Sequence, residues 1–81
     1  MRALVIMPVY NEAPTLARVL DEVRRHTDAE ILVVNDGSTD GSGEILAQYL
    51  PSNDVLTHAQ NEGYGQSLID GFQFAIARGF E

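Results

Sequence analysis

Three mostly apolar stretches divide the chain at regular intervals. They are residues 3–7 (ALVIM), 31–34 (ILVV) and the shorter 55–57 (VLT). Apolar runs without polar alternation are typical of strands that are covered on both faces, as in parallel sheets. We therefore predict three strands of a parallel sheet, with the short third strand at an edge.

Between and after these runs, apolar residues recur at intervals of three and four positions, which predicts amphipathic helices. The first helix covers about residues 14–26. Asp40 can cap the second helix, which Pro51 ends, and the third covers about 65–78 with a stop at Gly79. The predicted apolar faces are Leu16, Val19, Leu20 and Val23 in the first helix, Ile45, Leu46, Tyr49 and Leu50 in the second, and Ile69, Phe72 and Ile76, as a buried stripe, in the third.

Strands that alternate with helices indicate βαβ units, a parallel sheet and right-handed crossovers. The predicted fold class is α/β, with three βα units of a Rossmann-like domain, helices on both faces and strand order 3-2-1. The 81 residues suit one small domain. In this order the first strand lies at the open side of the sheet. We expect it to pair with a second copy or with the remainder of a longer polypeptide.

The chain is acidic, with 12 Asp and Glu residues against 5 Arg and Lys and a formal net charge of −7 at pH 7. This balance disfavours nucleic acid, because its phosphates would be repelled. A phosphorylated ligand would need a divalent cation or oriented backbone N–H groups to offset its charge. The chain has no cysteine and no apolar stretch long enough to span a bilayer. We therefore expect a soluble, cytoplasmic protein without disulfides.

Three loops follow the carboxyl ends of the predicted strands, which is where parallel α/β sheets bind ligands. They cover residues 8–13, 35–41 and 58–65 and gather the polar, aromatic and glycine residues at one rim. The first loop has no glycine that would let its backbone approach a phosphate, but it offers Tyr10 and Glu12. A ring and a carboxylate suit stacking on a base and hydrogen bonding to a ribose hydroxyl. The alternative is an ordinary surface Tyr and Glu.

The second and third loops contain further candidates. Asp36 follows a buried strand, so we expect its carboxylate to face the crevice and accept hydrogen bonds from a ligand, whereas Asp40 has a structural role. The second loop also resembles part of a calcium loop, but Ala47 stands where the bidentate Glu should be, so that type of site is rejected. In the third loop, glycines permit close packing or positive φ. His58 has no second ligand near it in sequence, which favours a polar residue at a strand end over a metal ligand.

Three segments, taken together in their order and spacing, resemble family 2 glycosyltransferases: residues 5–12 (VIMPVYNE), 33–41 (VVNDGSTDG) and 61–65 (NEGYG). The nearest likeness is the polyprenyl- or dolichyl-phosphate mannosyl- or glucosyltransferase type. It implies a GT-A fold, with residues 1–81 as the N-terminal half of a nucleotide-sugar-binding domain, and sugar transfer from a nucleotide-diphosphate donor. Members often have Asp where this chain has Asn35. The resemblance assigns Pro8, Tyr10 and Glu12 to the nucleoside site, Val34 and Asp36 to the base or ribose, and Gly63 and Gly65 to the floor near the donor.

The resemblance also implies a divalent cation, Mg²⁺ or Mn²⁺, held by an Asp-x-Asp motif beyond residue 81, and a catalytic base further on. Neither is found in this chain, so no catalytic or metal-binding residue is predicted within it. We expect weak nucleoside binding at best, and no transferase activity, from these residues alone. The complete enzyme could be associated with a membrane.

Other classes share the alternating pattern. A non-catalytic nucleotide-sugar-binding or assembly module would use the same fold without transfer. A phospho-receiver-like signalling domain needs an acidic pair after the first strand, an Asp after the third and a late lysine. This chain has Asn11-Glu12 and Thr57-His58 at those places and no lysine. A dinucleotide-binding oxidoreductase is disfavoured by the glycine-free first loop.

Overall fold

The computed structural model describes residues 4–51 and 54–79 of the chain. Strands and helices alternate, as the apolar pattern predicts, and each predicted element is present. Ala3, the predicted start of the first strand, lies outside the described residues. The elements are β1 (Leu4–Val9), α1 (Ala13–His26), β2 (Glu30–Asp36), α2 (Ser42–Tyr49), β3 (Val55–His58) and α3 (Tyr64–Ala77).

The strands form one parallel sheet in the order β1-β2-β3, which is the predicted order 3-2-1 read from the other edge. β1 pairs with β2 from Leu4 opposite Glu30 to Val9 opposite Asn35. The pairing of β2 with β3 ends where Asp36 lies opposite His58. This parallel three-stranded sheet with three helices confirms the α/β fold class and is compatible with the first part of a Rossmann-like GT-A domain.

Two strands run further than the sequence predicts. β1 continues through Pro8 to Val9, because proline is tolerated in an edge strand, where a missing N–H costs no central ladder bond. β2 continues through Asn35 to Asp36, and both polar side chains are buried. The consequence for the rim is that Asp36 belongs to the strand and does not stand in an open loop.

Apolar side chains cover the sheet on both faces. The larger cluster lies on the α1 and α2 side and includes Leu16, Leu20 and Leu46, with Val33 of β2 completely buried. The smaller cluster joins Leu32 of β2 to α3. The central strand is thus buried from both sides, which accounts for its uninterrupted apolar sequence. Within the predicted apolar faces of α1 and α2, Val19 and Tyr49 are exposed.

The predicted buried face of α3 is wrong. The face that packs on the sheet consists of Ser67, Gly71 and Ala75, at intervals of four residues. A Cβ at Gly71 would lie 2.8 Å from Cγ2 of Ile6 and 3.2 Å from Cγ2 of Val34, so this helix approaches the sheet more closely than a larger residue allows.

The bulky side chains of the predicted stripe therefore point away from the sheet, whereas Phe74 is partly buried against the smaller cluster. Hydrophobicity alone predicts the opposite face, since it ignores that small residues allow close helix–sheet contact. The three residues of the predicted stripe are exposed: Ile69 (51%), Phe72 (56%) and Ile76 (68%). Gly79 follows the helix with φ of +93°, the left-handed conformation that commonly ends a helix, as predicted. Across residues 4–51 and 54–79, no helix is long and apolar enough to cross a membrane.

Candidate functional site

A cleft of about 350 Å³ opens at the carboxyl ends of the three strands. The parallel sheet brings the three loops to this rim, as the sequence predicts. The lining residues are Pro8, Val9, Tyr10, Glu12, Asp36, Asn61, Gly63, Tyr64 and Ser67.

Most of the residues predicted for the donor site come together in this cleft. Two do not line it: Val34 is completely buried at the centre of β2, and Gly65 lies in the first turn of α3 with open space where its Cβ would be. Val34 lies beside the lining residue Pro8, as its partner in the neighbouring strand. The predicted residues that line the cleft are Pro8, Tyr10, Glu12, Asp36 and Gly63.

Hydrogen bonds join the first loop to the second. The N–H of Asn11 donates to Oγ of Ser38 at 3.0 Å, and Oδ1 of Asn11 accepts from the N–H of Thr39 at 2.8 Å. Asn11 has φ of +52°, a left-handed conformation that asparagine tolerates better than most residues. The exchange fixes the backbone beside Tyr10, whose ring stays 46% exposed.

Asp40 has a structural role, as the sequence indicates, but the N-cap of α2 is Gly41 and not the predicted Asp40, which lies one residue before it. Its Oδ2 accepts from the N–H of Ala13 at 3.1 Å, and its Oδ1 accepts from both the N–H and the hydroxyl of Ser42. Ser42 Oγ in turn accepts from the N–H of Glu12 at 3.1 Å. Asp40 thereby ties the starts of α1 and α2 together, and the Ser42 hydroxyl bond lowers its pKa most, ahead of the opposing effect of burial.

The second and third loops touch at Gly37. Its φ is +73°, and a Cβ there would lie 2.3 Å from the carbonyl carbon of Gln60 and 2.4 Å from the backbone nitrogen of Asn61. No side chain fits this approach, so glycine is required both for the conformation and for the space.

Asp36 is buried and hydrogen-bonded within the protein. Its Oδ1 accepts from the N–H of Glu62 at 2.8 Å and lies 2.7 Å from Nδ1 of His58, and its Oδ2 accepts from the N–H of Gly63 at 2.9 Å. Burial raises the pKa of this carboxyl, but these hydrogen bonds and the His58 charge together outweigh burial and hold it below its ordinary value. A carboxylate offers about four acceptor positions, so one remains on Oδ2. A direct contact between Asp36 and a ligand stays a prediction.

His58 has partners that its local sequence does not reveal. The ring is buried, with Nδ1 facing Asp36 and Nε2 lying 2.8 Å from Oδ2 of Asp70 in α3. Glu62 Oε2 is 3.9 Å from Nδ1. The hydrogen bond with Asp36 raises the pKa of His58 most, burial opposes this, and Glu62 and Asp70 raise it further. The available signal was the strand pairing, because Asp36 and His58 are the last residues of neighbouring parallel strands.

One group of side chains in the described part of the chain has the composition of a metal site. His58, Glu62 and Asp70 each bring a possible ligand atom within 4.8 Å of the others. However, Glu62 approaches the Nδ1 side of the ring and Asp70 the Nε2 side, and both ring nitrogens already lie at hydrogen-bonding distance from a carboxylate. We describe the group as a hydrogen-bonded ion cluster. The cleft itself has two carboxylates, Glu12 and Asp36, and the protein already occupies three of the roughly four acceptor positions of Asp36.

Sequence reasoning missed Ser67 as a lining residue. Its side chain is completely buried, and in residues 4–51 and 54–79 its hydroxyl has no hydrogen-bond partner. A second groove of about 250 Å³ lies between α2 and β3 and holds no predicted site residue. Its polar side chains are those of Asn35 and Thr57, and Oδ1 of Asn35 is also buried without a partner in the described residues. These buried hydroxyl and amide oxygens have no signal in local sequence, since both depend on packing between distant elements.

The family model for glycosyl transferase family 2 matches residues 4–78. This chain belongs to glycosyltransferase family 2. The match confirms the resemblance carried by the three rim segments. It also means that the cleft lies in the part of the chain that the family model covers.

Named relatives of this glycosyltransferase chain agree with the family assignment. It is 36% identical over 85 residues to undecaprenyl-phosphate mannosyltransferase from Micrococcus luteus, covering 100% of this chain and 35% of the relative. It is 32% identical over 84 residues to polyprenol monophosphomannose synthase from Mycolicibacterium smegmatis, covering 98% and 32%. The chain therefore spans about a third of the length of these relatives. No solved structure matches it.

Proposed function

We propose that the rim cleft binds the nucleoside part of a nucleotide-diphosphate sugar, and that this chain is the donor-binding part of an enzyme that transfers the sugar to an acceptor. One observation carries the proposal: residues from all three rim loops, assigned to the donor by their resemblance to the family, line a single cleft. Membership of glycosyltransferase family 2 supports the reaction class.

The lining residues divide the work of binding by their chemistry. The half-exposed ring of Tyr10 would stack on the base, and Glu12 would accept hydrogen bonds from the ribose hydroxyls. Asp36 has one acceptor position left for a base or ribose donor. The Ser67 hydroxyl, unpartnered among the described residues, would bond to a polar group at the bottom of the cleft.

The diphosphate would lie toward the start of α3. The first N–H groups of a helix carry a partial positive charge that favours phosphate. Gly65 lies in this first turn, and the open space at its Cβ position leaves room for a phosphate to approach. Gly63, with φ of +96°, turns the chain into the helix. Val34 would act indirectly, as the neighbour of Pro8 in the adjacent strand.

A divalent cation belongs to this picture, because family 2 glycosyltransferases generally depend on one. Such an ion would offset the charge of the leaving diphosphate. The family resemblance implies that an Asp-x-Asp motif holds this ion, and we propose that its ligands lie outside these 81 residues. We therefore expect the isolated chain to bind a nucleotide without turning over a nucleotide sugar.

The names of two relatives support a proposal for the acceptor. Two of them are named for mannosyl transfer to undecaprenyl phosphate and for synthesis of a polyprenol monophosphomannose. We propose a polyprenyl phosphate as the acceptor class and leave the sugar open. β1, whose outer edge is free of a described strand, would pair with a further part of a longer polypeptide or with a second copy. A cytoplasmic location stays a prediction.

Calorimetry with GDP and UDP, each with and without MnCl₂, tests the proposed binding. Tyr10→Ala should reduce the affinity for whichever nucleotide binds more tightly about tenfold, because base–aromatic stacking contributes about 1–3 kcal/mol. Tyr49→Ala is the matched control, because Tyr49 is 45% exposed and lies on α2, outside the cleft lining. Equal affinities of the two variants would contradict the assignment of Tyr10. Binding without any sugar transfer in the complete enzyme would favour a non-catalytic module.

A further inference from the structure

His58 joins three elements beneath the cleft. His58 is the last residue of β3. Its ring faces Asp36, the last residue of β2, on one side and Asp70 of α3 on the other. The His58 side chain is 8% exposed and that of Asp36 is 4% exposed, so the contact between them is shielded from water. His58 is not among the residues that line the cleft.

The two carboxylates at the ring favour its charged form. A neutral imidazole carries one N–H, so one ring nitrogen would present a lone pair to a carboxylate oxygen. An imidazolium donates from both nitrogens and satisfies Asp36 at 2.7 Å and Asp70 at 2.8 Å together. The titratable groups that face the ring are Asp36 from β2, Glu62 from the loop after β3, and Asp70 from α3.

The same cluster holds the wall of the cleft. Asp36 accepts the backbone N–H groups of Glu62 and Gly63, and Gly63 lines the cleft. The carbonyl of Gly63 then accepts the N–H of Ser67 at 3.0 Å, which sets the first turn of α3. A change in the position of Asp36 therefore moves both the loop and the start of the helix.

We propose that His58, as an imidazolium held between Asp36 and Asp70, is a positioning residue that fixes the 61–63 loop as one wall of the cleft. The expected effect of His58 on nucleotide affinity rests on the proposed function. The expected effect on the loop does not, because His58 should order the 61–63 loop in the absence of any ligand. Because the cluster loses its charge pairing when the imidazolium loses a proton, raising the pH should loosen this wall.

The structural part is tested without a ligand by ¹⁵N NMR of the 81-residue chain. The sequence has 2 histidines, so His26→Gln assigns the ring resonances to His58. The ordinary pKa of histidine is about 6.5, and we expect both ring nitrogens of His58 to stay protonated above that pH. We also expect the backbone amides of Glu62 and Gly63 to be protected from hydrogen exchange. A neutral His58 ring at pH 6.5 would overturn the proposal.

Asp70→Asn separates positioning from general stability. It keeps the shape of the side chain, removes one charge beside the ring, and changes a position whose side chain is 23% exposed, so the variant should fold. We expect the His58 proton to be lost at lower pH, faster exchange at Glu62 and Gly63, and a GDP or UDP affinity reduced about fivefold or more. Gln66→Ala is the control, because it removes only the outer bond from Gln66 to Asp70.

The outcomes distinguish the two levels of inference. Absence of nucleotide binding by the unmodified chain, with His58 protonated and the loop protected, would contradict the proposed function and leave the positioning role intact. Unchanged exchange and an unchanged pH profile of affinity in Asp70→Asn would overturn the positioning role. Titration with MnCl₂ alone is the last arm. Selective broadening of the His58 resonances with loss of a ring proton would show a metal site in place of the ion cluster.

Discussion

The two contacts between neighbouring rim loops are built differently. The contact between the first and second loops uses the exposed residues Asn11 and Asp40 together with the hydroxyls of Ser38 and the buried Ser42. The contact between the second and third loops uses a glycine packed against backbone and a buried cluster around Asp36 and His58. The first contact is stabilised by several separate hydrogen bonds, so no single one of them is essential. The second depends on a few groups that have no substitute, so damage there should be larger and more dependent on pH.

The largest effect is expected from Gly37→Ala. The new Cβ would collide with the backbone of Gln60 and Asn61, and φ of +73° is unfavourable for alanine. We expect a loss of at least about 4 kcal/mol in the free energy of unfolding. This approaches the roughly 3–5 kcal/mol available to a domain of this size, so the chain should unfold. Circular dichroism in urea measures this.

Gly65→Ala is the control for Gly37→Ala, because open space surrounds the Cβ position in the first turn of α3. It should retain or slightly increase the stability, by up to about 1 kcal/mol, since alanine favours a helix more than glycine does. Similar urea midpoints for the two variants would contradict the account of the second contact.

Asp36→Asn should come next, with a loss of about 3 kcal/mol, because it leaves His58 and two backbone donors without a carboxylate. Asp40→Asn is the matching change in the first contact and should cost less, since its surroundings are more open to water. Urea unfolding of both variants at one pH tests the order. A larger loss for Asp40→Asn would reverse the comparison.

The pH dependence of stability should differ between the contacts. The pKa of His58 is raised by Asp36, so its contribution is fully present below the unfolded value of about 6.5 and is lost as the pH rises through the folded pKa. The pKa values of Asp36 and Asp40 are lowered, so their contributions are present above the unfolded value and are lost as the pH falls through the folded pKa. Between pH 3 and 9, the urea midpoint should decrease toward both the acidic and the alkaline end. His58→Gln should remove the decrease at the alkaline end. Persistence of that fall in His58→Gln would assign it to other groups.

The smallest effect on folding is expected from Ser67→Ala. Its hydroxyl is buried without a partner in the described residues, so its removal should leave stability within about 1 kcal/mol or raise it. If the hydroxyl bonds to the nucleotide, affinity should fall about three- to tenfold, the equivalent of one hydrogen bond. Calorimetry and urea unfolding on the same preparation measure both quantities. Unchanged affinity would remove Ser67 from the binding site.

The sequence predicts those parts of the fold that depend on local patterns. Continuous apolar runs predict the three strands, and a run that ends beside Asp36 predicts a carboxylate at the rim. The face of α3 that packs on the sheet is not predictable in this way. Ser67, Gly71 and Ala75 pack because they are small, and a hydrophobicity pattern gives more weight to Ile69 and Phe72.

The candidate site is predicted less completely than the fold, for a related reason. The rim residues follow from strand ends and from the family resemblance, and most of them line one cleft. The surroundings of Asp36 depend on His58 and Asp70, which are 22 and 34 positions further along the chain, and on the exact register of β2 with β3. A carboxylate predicted to face a ligand therefore turns out to be engaged mainly by the protein itself.

¹⁵N–¹H NMR of the 81-residue chain during titration with GDP or UDP shows where the nucleotide binds. If the nucleoside occupies the rim cleft, the largest amide shift changes will occur at Tyr10, Gly63 and Ser67, with little change along α2. Shift changes centred on Ala47 and Thr57, in the groove between α2 and β3, would contradict it.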